Sequence, residues 1–392
     1  MTIKVLIATR EYPPFEVGGV AKHTFHLVTN LRKLGVDCKV LSFGDPEYSS
    51  EDTEFIRPSS SIISRANQKT GLDSRIPSDI LRFGKIANKM IEKEGYDIVH
   101  VEEPYVGAFI KHKRKVTTVH DTSYGEIKSI FHHPAGFPDV KRAFFYLSLG
   151  PYLEMKCMSS SKTVIVPAPH VKEELVKVYG RRTDGISVIA NGVELPRTVD
   201  KQGARTRLGL SPAYVLILSA SQHVARKRLD TLIEAIKLLR DKGVSGFSVT
   251  MLGEGPLRHL NQRLTEKYNL TELIEMPGWV SEEDLYQYFQ AADIYVLTSE
   301  YEAGPISLLE AMSCGAAATS SNIEGFPSFM KDGTDGLLFK TGNAKELSAN
   351  LERLIRDQKL RNSLGEAGKE FAARFSWTKI AVKTRDLYEE LM

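Results

Sequence analysis

The stretch TSEYEAGPISLLEAMSCG, Thr298 to Gly315, sets one carboxylate, Glu302, just ahead of a Gly-Pro pair and a second, Glu310, eight positions later inside the apolar run Ile306 to Met312. The preceding DIYVLTS reads as a strand. Pro305 suits the first helical position because its missing N–H would be an orphan there, and Gly315 suits a left-handed closing cap, so a helix is expected from Pro305 to Cys314. The free N–H groups of Ile306, Ser307 and Leu308, with Gly304 just before them, and the helix dipole form a seat for an anion such as phosphate. Two like charges a few ångströms apart in a partly dry cleft repel by roughly several kcal/mol at an effective dielectric of about 20. The carboxylates therefore suit neutral hydroxyls rather than phosphate oxygens. A ligand that offers phosphate with hydroxyls on both sides is a nucleotide sugar. The structural alternative makes Glu302 a solvent-facing charge and Glu310 an ordinary helix-surface charge.

Such side chains must be held by strands and helices, and the chain supplies both in alternation. IKVLIAT precedes Ala21 to Leu34; CKVLSF, DIVHVEE, VTTVHDT and TVIVPA follow, the last before His170 to Tyr179; ISVIANGV closes the series. After Pro196 the pattern restarts with AYVLILSAS, FSVTMLGEG, DIYVLTS and GAAATSS. Continuous apolar strands separated by helices imply parallel sheets buried on both faces. The expected organisation is an N-terminal Rossmann-like domain over residues 1–195, a second over 196–375, and a final helix over about 376–392. Two doubly wound α/β domains set face to face would enclose a central cleft lined by the carboxyl ends of both sheets, where ligands bind in such folds. Residues Glu51 to Asp79 and Gly125 to Asp139 read as irregular.

Composition narrows the class. The 392 residues are 42% hydrophobic and 26% charged, which fits folded globular domains rather than disorder or coiled coil. A net charge of +3 does not support nucleic-acid binding. Before Pro196 there are 27 Lys and Arg against 23 Asp and Glu, and after it 25 against 26, so the excess lies in the first half, densest in KHKRK at Lys111 to Lys115. That run reads as a solvated loop, or alternatively as peripheral contact with an anionic membrane. The three cysteines are widely spaced and read as reduced thiols of a cytoplasmic protein. No stretch has the roughly 20 apolar residues of a spanning helix. His23, His26, His132, His133 and His170 show no pairing of metal type and read as surface, core or loop histidines.

Several motifs in order resemble one family across nearly the whole chain: the GT-B retaining glycosyltransferases, specifically glycosyltransferase family 4. The Glu, seven residues, Glu pattern with ISLLEAM is similar to the family signature at Glu302 and Glu310. EYPPFEVGGVAKHTFHL resembles its Gly-Gly loop, TVHDT its histidine strand, and ANGVE the close of its first domain, with Glu194 in place of Asp. The resemblance implies a two-domain enzyme that moves a sugar from a nucleotide diphosphate sugar to an acceptor hydroxyl with retention, without cofactor or bound metal. Attack from the same face as the leaving diphosphate, which takes the acceptor proton, is the implied mechanism. By the same resemblance Gly18 and Gly19 approach the donor diphosphate and His120 the donor sugar. Lys227 neutralises the diphosphate, Glu302 meets the sugar hydroxyls and Glu310 the ribose. Gly253 lines the nucleoside pocket, Trp279 and Val280 give main-chain contacts to the base, and the final helix crosses back onto the first domain.

The chain also departs from the pattern. Gln222 stands where the phosphate-binding arginine is usual and Arg228 where a glycine is, which leaves Arg226 or Arg228 to compensate. Gly304-Pro305 replaces the common Phe-Gly, and Ser328 replaces a frequent glutamate. MLGEGPLRHL is not a dinucleotide fingerprint, because Arg258 occupies the place of the third glycine. A nucleotide-sugar 2-epimerase, or a binding protein without catalysis, is the alternative that the same site chemistry leaves open.

Overall fold

The computed structural model describes residues 2–15, 18–58, 77–132, 144–323 and 329–392. Ser328 and His133 lie outside the described residues, as does the side chain of His132. The chain divides into two compact units: one holds Met1–Tyr124, Phe144–Gly192 and Trp377–Met392, and the other holds Val193–Ser376 together with Gly125 and the rest of the helix it belongs to.

In the first unit seven strands form a parallel sheet: β1 Lys4–Ala8, β2 Asp37–Phe43, β3 Thr53–Ile56, β4 Ile98–Val101, β5 Lys115–Thr118, β6 Thr163–Val166 and β7 Ile186–Val188. Their order is β3-β2-β1-β4-β5-β6-β7, so the direction of winding reverses between β1 and β4. Among the described residues the helices of this half of the chain are α1 Gly19–Lys33, α2 Pro77–Glu94, α3 Pro104–Gly107, α4 Ser123–His132, α5 Leu149–Ser159 and α6 Pro169–Tyr179, of which α4 passes into the second unit at Gly125. Alternation along β1 explains its unbroken apolar run. Val5 and Ile7 pack with Leu27, Leu31 and Val40 on one face, while Leu6 and Ala8 pack with Leu41, Phe83 and Val99 on the other. The C-terminal helix Trp377–Glu390 joins the first of these cores through Trp377, Ile380, Ala381 and Tyr388. Gly192 is required there, since a Cβ on it would stand 2.3 Å from the Trp377 ring.

The second unit has a six-stranded parallel sheet of β8 Val215–Ala220, β9 Phe247–Leu252, β10 Ile274–Gly278, β11 Ile294–Leu297, β12 Ala317–Asn322 and β13 Leu337–Lys340. Its order is β10-β9-β8-β11-β12-β13, with the reversal between β8 and β11. Seven helices are described: α7 Lys201–Arg207, α8 Leu229–Asp241, α9 Arg258–Lys267, α10 Glu282–Ala291, α11 Ile306–Ser313, α12 Ala344–Arg356 and α13 Gln358–Ala372. Ligand sites in open parallel sheets lie beyond the carboxyl ends of the strands at such a reversal. In this unit that place is where the segments after β8 and β11 emerge.

Three local expectations need correction. The stretch read as irregular from Glu51 contains β3, and the one from Gly125 begins inside α4. Pro305 is the cap of α11 rather than its first helical residue, with φ −75° and ψ 90°. Lys115 is not part of a solvated basic run. It opens β5 with its amine buried, donating to the carbonyls of Gly107 and Ile110 at 3.1 Å each and to Ser160 Oγ at 2.7 Å. Among the described residues no helix is long and apolar enough to cross a membrane.

Candidate active site

In the second unit the two segments that leave the sheet at its reversal bring three charged groups together. After β8, Val224 and Ala225 lead into a single 3-10 turn, Ala225–Lys227, which points Arg226 and Lys227 toward the segment after β11. Backbone bonds fix the register: Glu300 N–H donates to Arg226 O at 2.9 Å, and Thr298 Oγ1 donates to Lys227 O at 2.6 Å. Lys227 Nζ then reaches Glu302 Oε1 at 2.5 Å, Ser299 Oγ donates to the same oxygen at 2.6 Å, and Arg226 Nη1 stands 3.8 Å from Oε2. Burial of Glu302 opposes its ionisation, yet Lys227 first and Arg226 second hold its carboxyl below the usual value. Arg226 also lies 3.2 Å from Glu126. Two cations thus converge on one buried carboxylate at the place where a ligand would enter.

Other expected residues take up defined positions. Glu310 is half-buried on α11, one turn beyond Ser307. Ser307 Oγ is 2.8 Å from the Tyr295 hydroxyl, which also donates to Ala220 O at 3.2 Å and so ties the start of α11 to the end of β8. Gly304 and Ile306 are half-buried beside them. Gly253 N–H donates to Gly278 O at 2.8 Å, which places the Gly253–Gly255 turn next to Trp279 and Val280; Trp279 is 56% exposed and Val280 half-buried. Gly253 has φ +119° and a Cβ there would meet Ser221 O at 2.0 Å. At Gly255, with φ +156°, a Cβ would meet His223 O at 2.5 Å. Close backbone approach to residues 221–223 therefore accounts for both glycines. Arg258 donates to Met276 O at 2.6 Å, a structural role for the residue at the missing third glycine. Two grooves of about 630 Å³ in this unit contain none of the expected site residues.

His223, one residue past Gln222, is fully buried, with the Asn261 amide 3.0 Å from Nδ1 and no partner for Nε2 among the described residues. Burial, and then repulsion from Arg258, lowers it to about 4. An unfolded histidine titrates near 6.5. Between those values the unfolded chain binds the proton and the folded chain does not, so stability falls as pH falls, by about 3 kcal/mol at pH 4. His223→Gln is expected to flatten the stability profile from pH 6.5 to 4 in urea unfolding; an unaltered slope would remove His223 as the cause.

In the first unit Gly18 caps α1, its N–H donating to Glu11 Oε2 at 2.9 Å, and Gly19 is the first helical residue. Neither has a positive φ, and none of the described residues lies within 4 Å of where a Cβ would stand. His120 follows β5 with its Nε2 3.0 Å from Glu102 Oε2. His23, from the first turns of α1, comes to 3.6 Å of the same oxygen, and its ring meets that of His120 edge-on at 4.6 Å. The expectation that His23 has no pairing of metal type is thus corrected: ligand atoms of His23, Glu102 and His120 all lie within 4.8 Å of one another. Glu102, one residue beyond β4, was not singled out from sequence. Its burial raises its pKa, but the imidazoles of His100, His23 and His120 outweigh that and hold it at about 2. Burial lowers His23 to about 3 against the pull of Glu102.

Comparison with known proteins decides the family. Residues 200–371 match the family described as glycosyl transferases group 1, and residues 17–197 match glycosyltransferase family 4. The chain belongs to glycosyltransferase family 4. It is 26% identical to an uncharacterised glycosyltransferase of Methanocaldococcus jannaschii over 99% of both chains. A D-inositol 3-phosphate glycosyltransferase of Streptomyces bingchenggensis is 28% identical over 61% of this chain and 55% of its own. Among solved structures, sucrose-phosphate synthase from Thermosynechococcus elongatus superposes with a TM-score of 0.82 at 21% identity, over 100% of this chain and 99% of that one. HepE from Anabaena, solved with UDP and glucose, gives 0.75 at 18% identity, over 99% and 100%. The fold is GT-B-like, and the glycosyltransferase transfers sugar from a nucleotide-sugar donor.

Family membership also explains one departure. Arg228 stands at a position where family 4 glycosyltransferases usually have glycine, and its backbone is left-handed, with φ +46° and ψ +44°. Glycine takes that conformation without the Cβ penalty that Arg228 bears. The Arg228 guanidinium is held by Asp230, with Nη2 to Oδ2 at 3.0 Å. Of the two arginines it is Arg226 that approaches Glu302, at 3.8 Å.

Proposed function

We propose that this glycosyltransferase transfers a hexosyl group with retention at the anomeric carbon, and that no metal serves the leaving diphosphate. The observation that carries the reading is the convergence of Lys227 and Arg226 on Glu302 at the β8/β11 reversal. Lys227 lies against Glu302 and Arg226 between Glu302 and Glu126, so a diphosphate would meet two cations already gathered at one place, and the N–H groups at the start of α11 add dipole to them. In this reading Lys227 and Arg226 take the diphosphate, Glu302 the sugar hydroxyls and Glu310 the ribose, while Gly253, Trp279 and Val280 border the base. Gly18 and Gly19 leave room for the diphosphate to approach the backbone, and His120 meets the donor sugar. The leaving phosphate takes the proton of the acceptor hydroxyl as the new bond forms on the same face. HepE binds UDP and glucose, so UDP-glucose is the first donor to test.

A thermal-shift panel of UDP, GDP and ADP sugars, followed by transfer with the donor that binds, tests the proposal. A bound donor at 100 times its dissociation constant raises stability by about 2.7 kcal/mol. Transfer should survive a chelator, and proton NMR should show the anomeric configuration retained. An inverted product, or activity lost with the chelator and restored by magnesium, would overturn it. Peripheral contact with an anionic membrane is supported by the exposed Phe144, Leu147, Tyr152 and Met155 beside Lys156, with Lys111 and Lys113 exposed nearby in sequence to Phe109, over which Lys156 lies. Sedimentation with anionic vesicles that falls with salt is the expected result; none at low salt would exclude it.

A further inference from the structure

The grouping of His23, Glu102 and His120 is more than a pair of ring contacts. Glu102 is fully buried, and among the described residues no lysine or arginine lies within 4.0 Å of its carboxylate; its charged-group neighbours are imidazoles. One of its oxygens, Oε1, has no hydrogen-bond partner among the described residues. The nearest imidazole to it, His100 Nε2 at 3.5 Å, is already engaged with Thr118 Oγ1 at 2.7 Å, and the other His100 nitrogen with the Tyr388 hydroxyl at 2.5 Å. A buried anion without a cation is costly. Two further imidazoles, those of His23 and His120, present Nε2 to its other oxygen, Oε2.

We infer that His23 Nε2, His120 Nε2 and the Glu102 carboxylate form a binding site for a divalent transition-metal ion of the zinc type. Two nitrogens and one carboxylate oxygen are a donor set for zinc, cobalt or nickel rather than for magnesium or calcium, which take oxygen. Ligands about 2.0 to 2.1 Å from a metal stand about 2.8 to 3.4 Å apart in octahedral or tetrahedral geometry. The observed separations from Glu102 Oε2, 3.0 Å for His120 and 3.6 Å for His23, approach those edges, and the three ligand atoms all lie within 4.8 Å of one another. Three protein ligands leave a position for water. His120, whose side chain is 11% exposed, gives the group its way to solvent, whereas His23 and Glu102 are closed in. His23 is fixed by Trp377, whose ring lies 5.2 Å away edge-on, so the set is held ready rather than assembled on binding. A metal on His120 Nε2 would occupy the group assigned to the donor sugar, and zinc would then inhibit transfer. Only that consequence rests on the proposed function; metal binding stands without it.

The test is titration of the intact chain with cobalt(II), read by its visible d–d absorption, and equilibrium dialysis with zinc. One ion per chain is expected, with cobalt absorption stronger than that of the aqueous ion. His23→Ala and Glu102→Gln should each weaken binding at least tenfold, with circular dichroism melts confirming that the variants fold; His23→Gln serves if His23→Ala does not. No retained zinc and no enhanced cobalt band would overturn the site. Equal binding by parent and His23→Ala would overturn it as well. Zinc inhibition of transfer that disappears in His23→Ala is the expected kinetic result. Stoichiometric binding with transfer unaffected would overturn the placement of His120 at the sugar while leaving the metal site in place.

Discussion

Glu302→Gln is expected to lower sugar transfer about tenfold to about a hundredfold while the nucleoside diphosphate binds as tightly as to the parent or tighter. The hydrogen bond lost is charge-assisted, worth roughly 1.5 to 3 kcal/mol, and it acts on the sugar, which the product lacks. The ion pair adds a second reason. Lys227 is paired with Glu302, and removing that charge frees Lys227 for the diphosphate. Glu310→Gln should behave differently, because ribose is common to donor and product. Both ligands should weaken by similar factors. Calorimetric titration of each variant with donor and nucleoside diphosphate, beside initial rates, is the measurement. Product binding weakened as much by Glu302→Gln as by Glu310→Gln would end this division of roles.

Lys227→Ala should cost nucleoside diphosphate affinity about tenfold to about a hundredfold and leave nucleoside affinity nearly as it was, since only the former carries the charge that Lys227 meets. It should also destabilise the second unit, because Glu302 stays buried with Arg226 standing 3.8 Å away. The pH dependence identifies the cause. In the parent the depressed carboxyl of Glu302 contributes stability above the unfolded glutamate value, and this is lost as pH falls through the folded value. Without Lys227 burial dominates and the carboxyl protonates at higher pH. The stability gap between variant and parent should therefore narrow on acidification. A gap that stays constant with pH, or equal losses for nucleoside and nucleoside diphosphate, would rule out the assignment.

Much of this arrangement was legible in local sequence because its signals are local. KVLIA and VLILSA are apolar on both alternating faces, which only a strand covered on both sides requires, and each is followed by a segment of helical period. Glu302 and Glu310 were legible because a single strand, loop and helix carry them. Lys115 was not, since five clustered polar residues look solvated until the carbonyls of Gly107 and Ile110 and the Ser160 hydroxyl are found waiting for the amine. Nor was Glu102, whose partners come from α1 and β5 and meet it only when β4 is laid between β1 and β5. The left-handed backbone at Arg228 was hidden for the opposite reason: the residue type argues against that conformation, and the usual glycine was the one clue.

The placement of the last helix has a bearing on the order in which the chain can complete itself during synthesis. Residues Val193 to Ser376 supply nearly all of the second unit and leave the ribosome before Trp377 does. The first unit, although its strands are made earliest, lacks Trp377, Ile380, Ala381 and Tyr388 from its core until those residues emerge. Domains made on the ribosome ordinarily finish from the N-terminus onward. Here the part begun first closes after the part begun second, and His100, His23 and His26 have no Tyr388 or Trp377 to rest against until that last helix has been made.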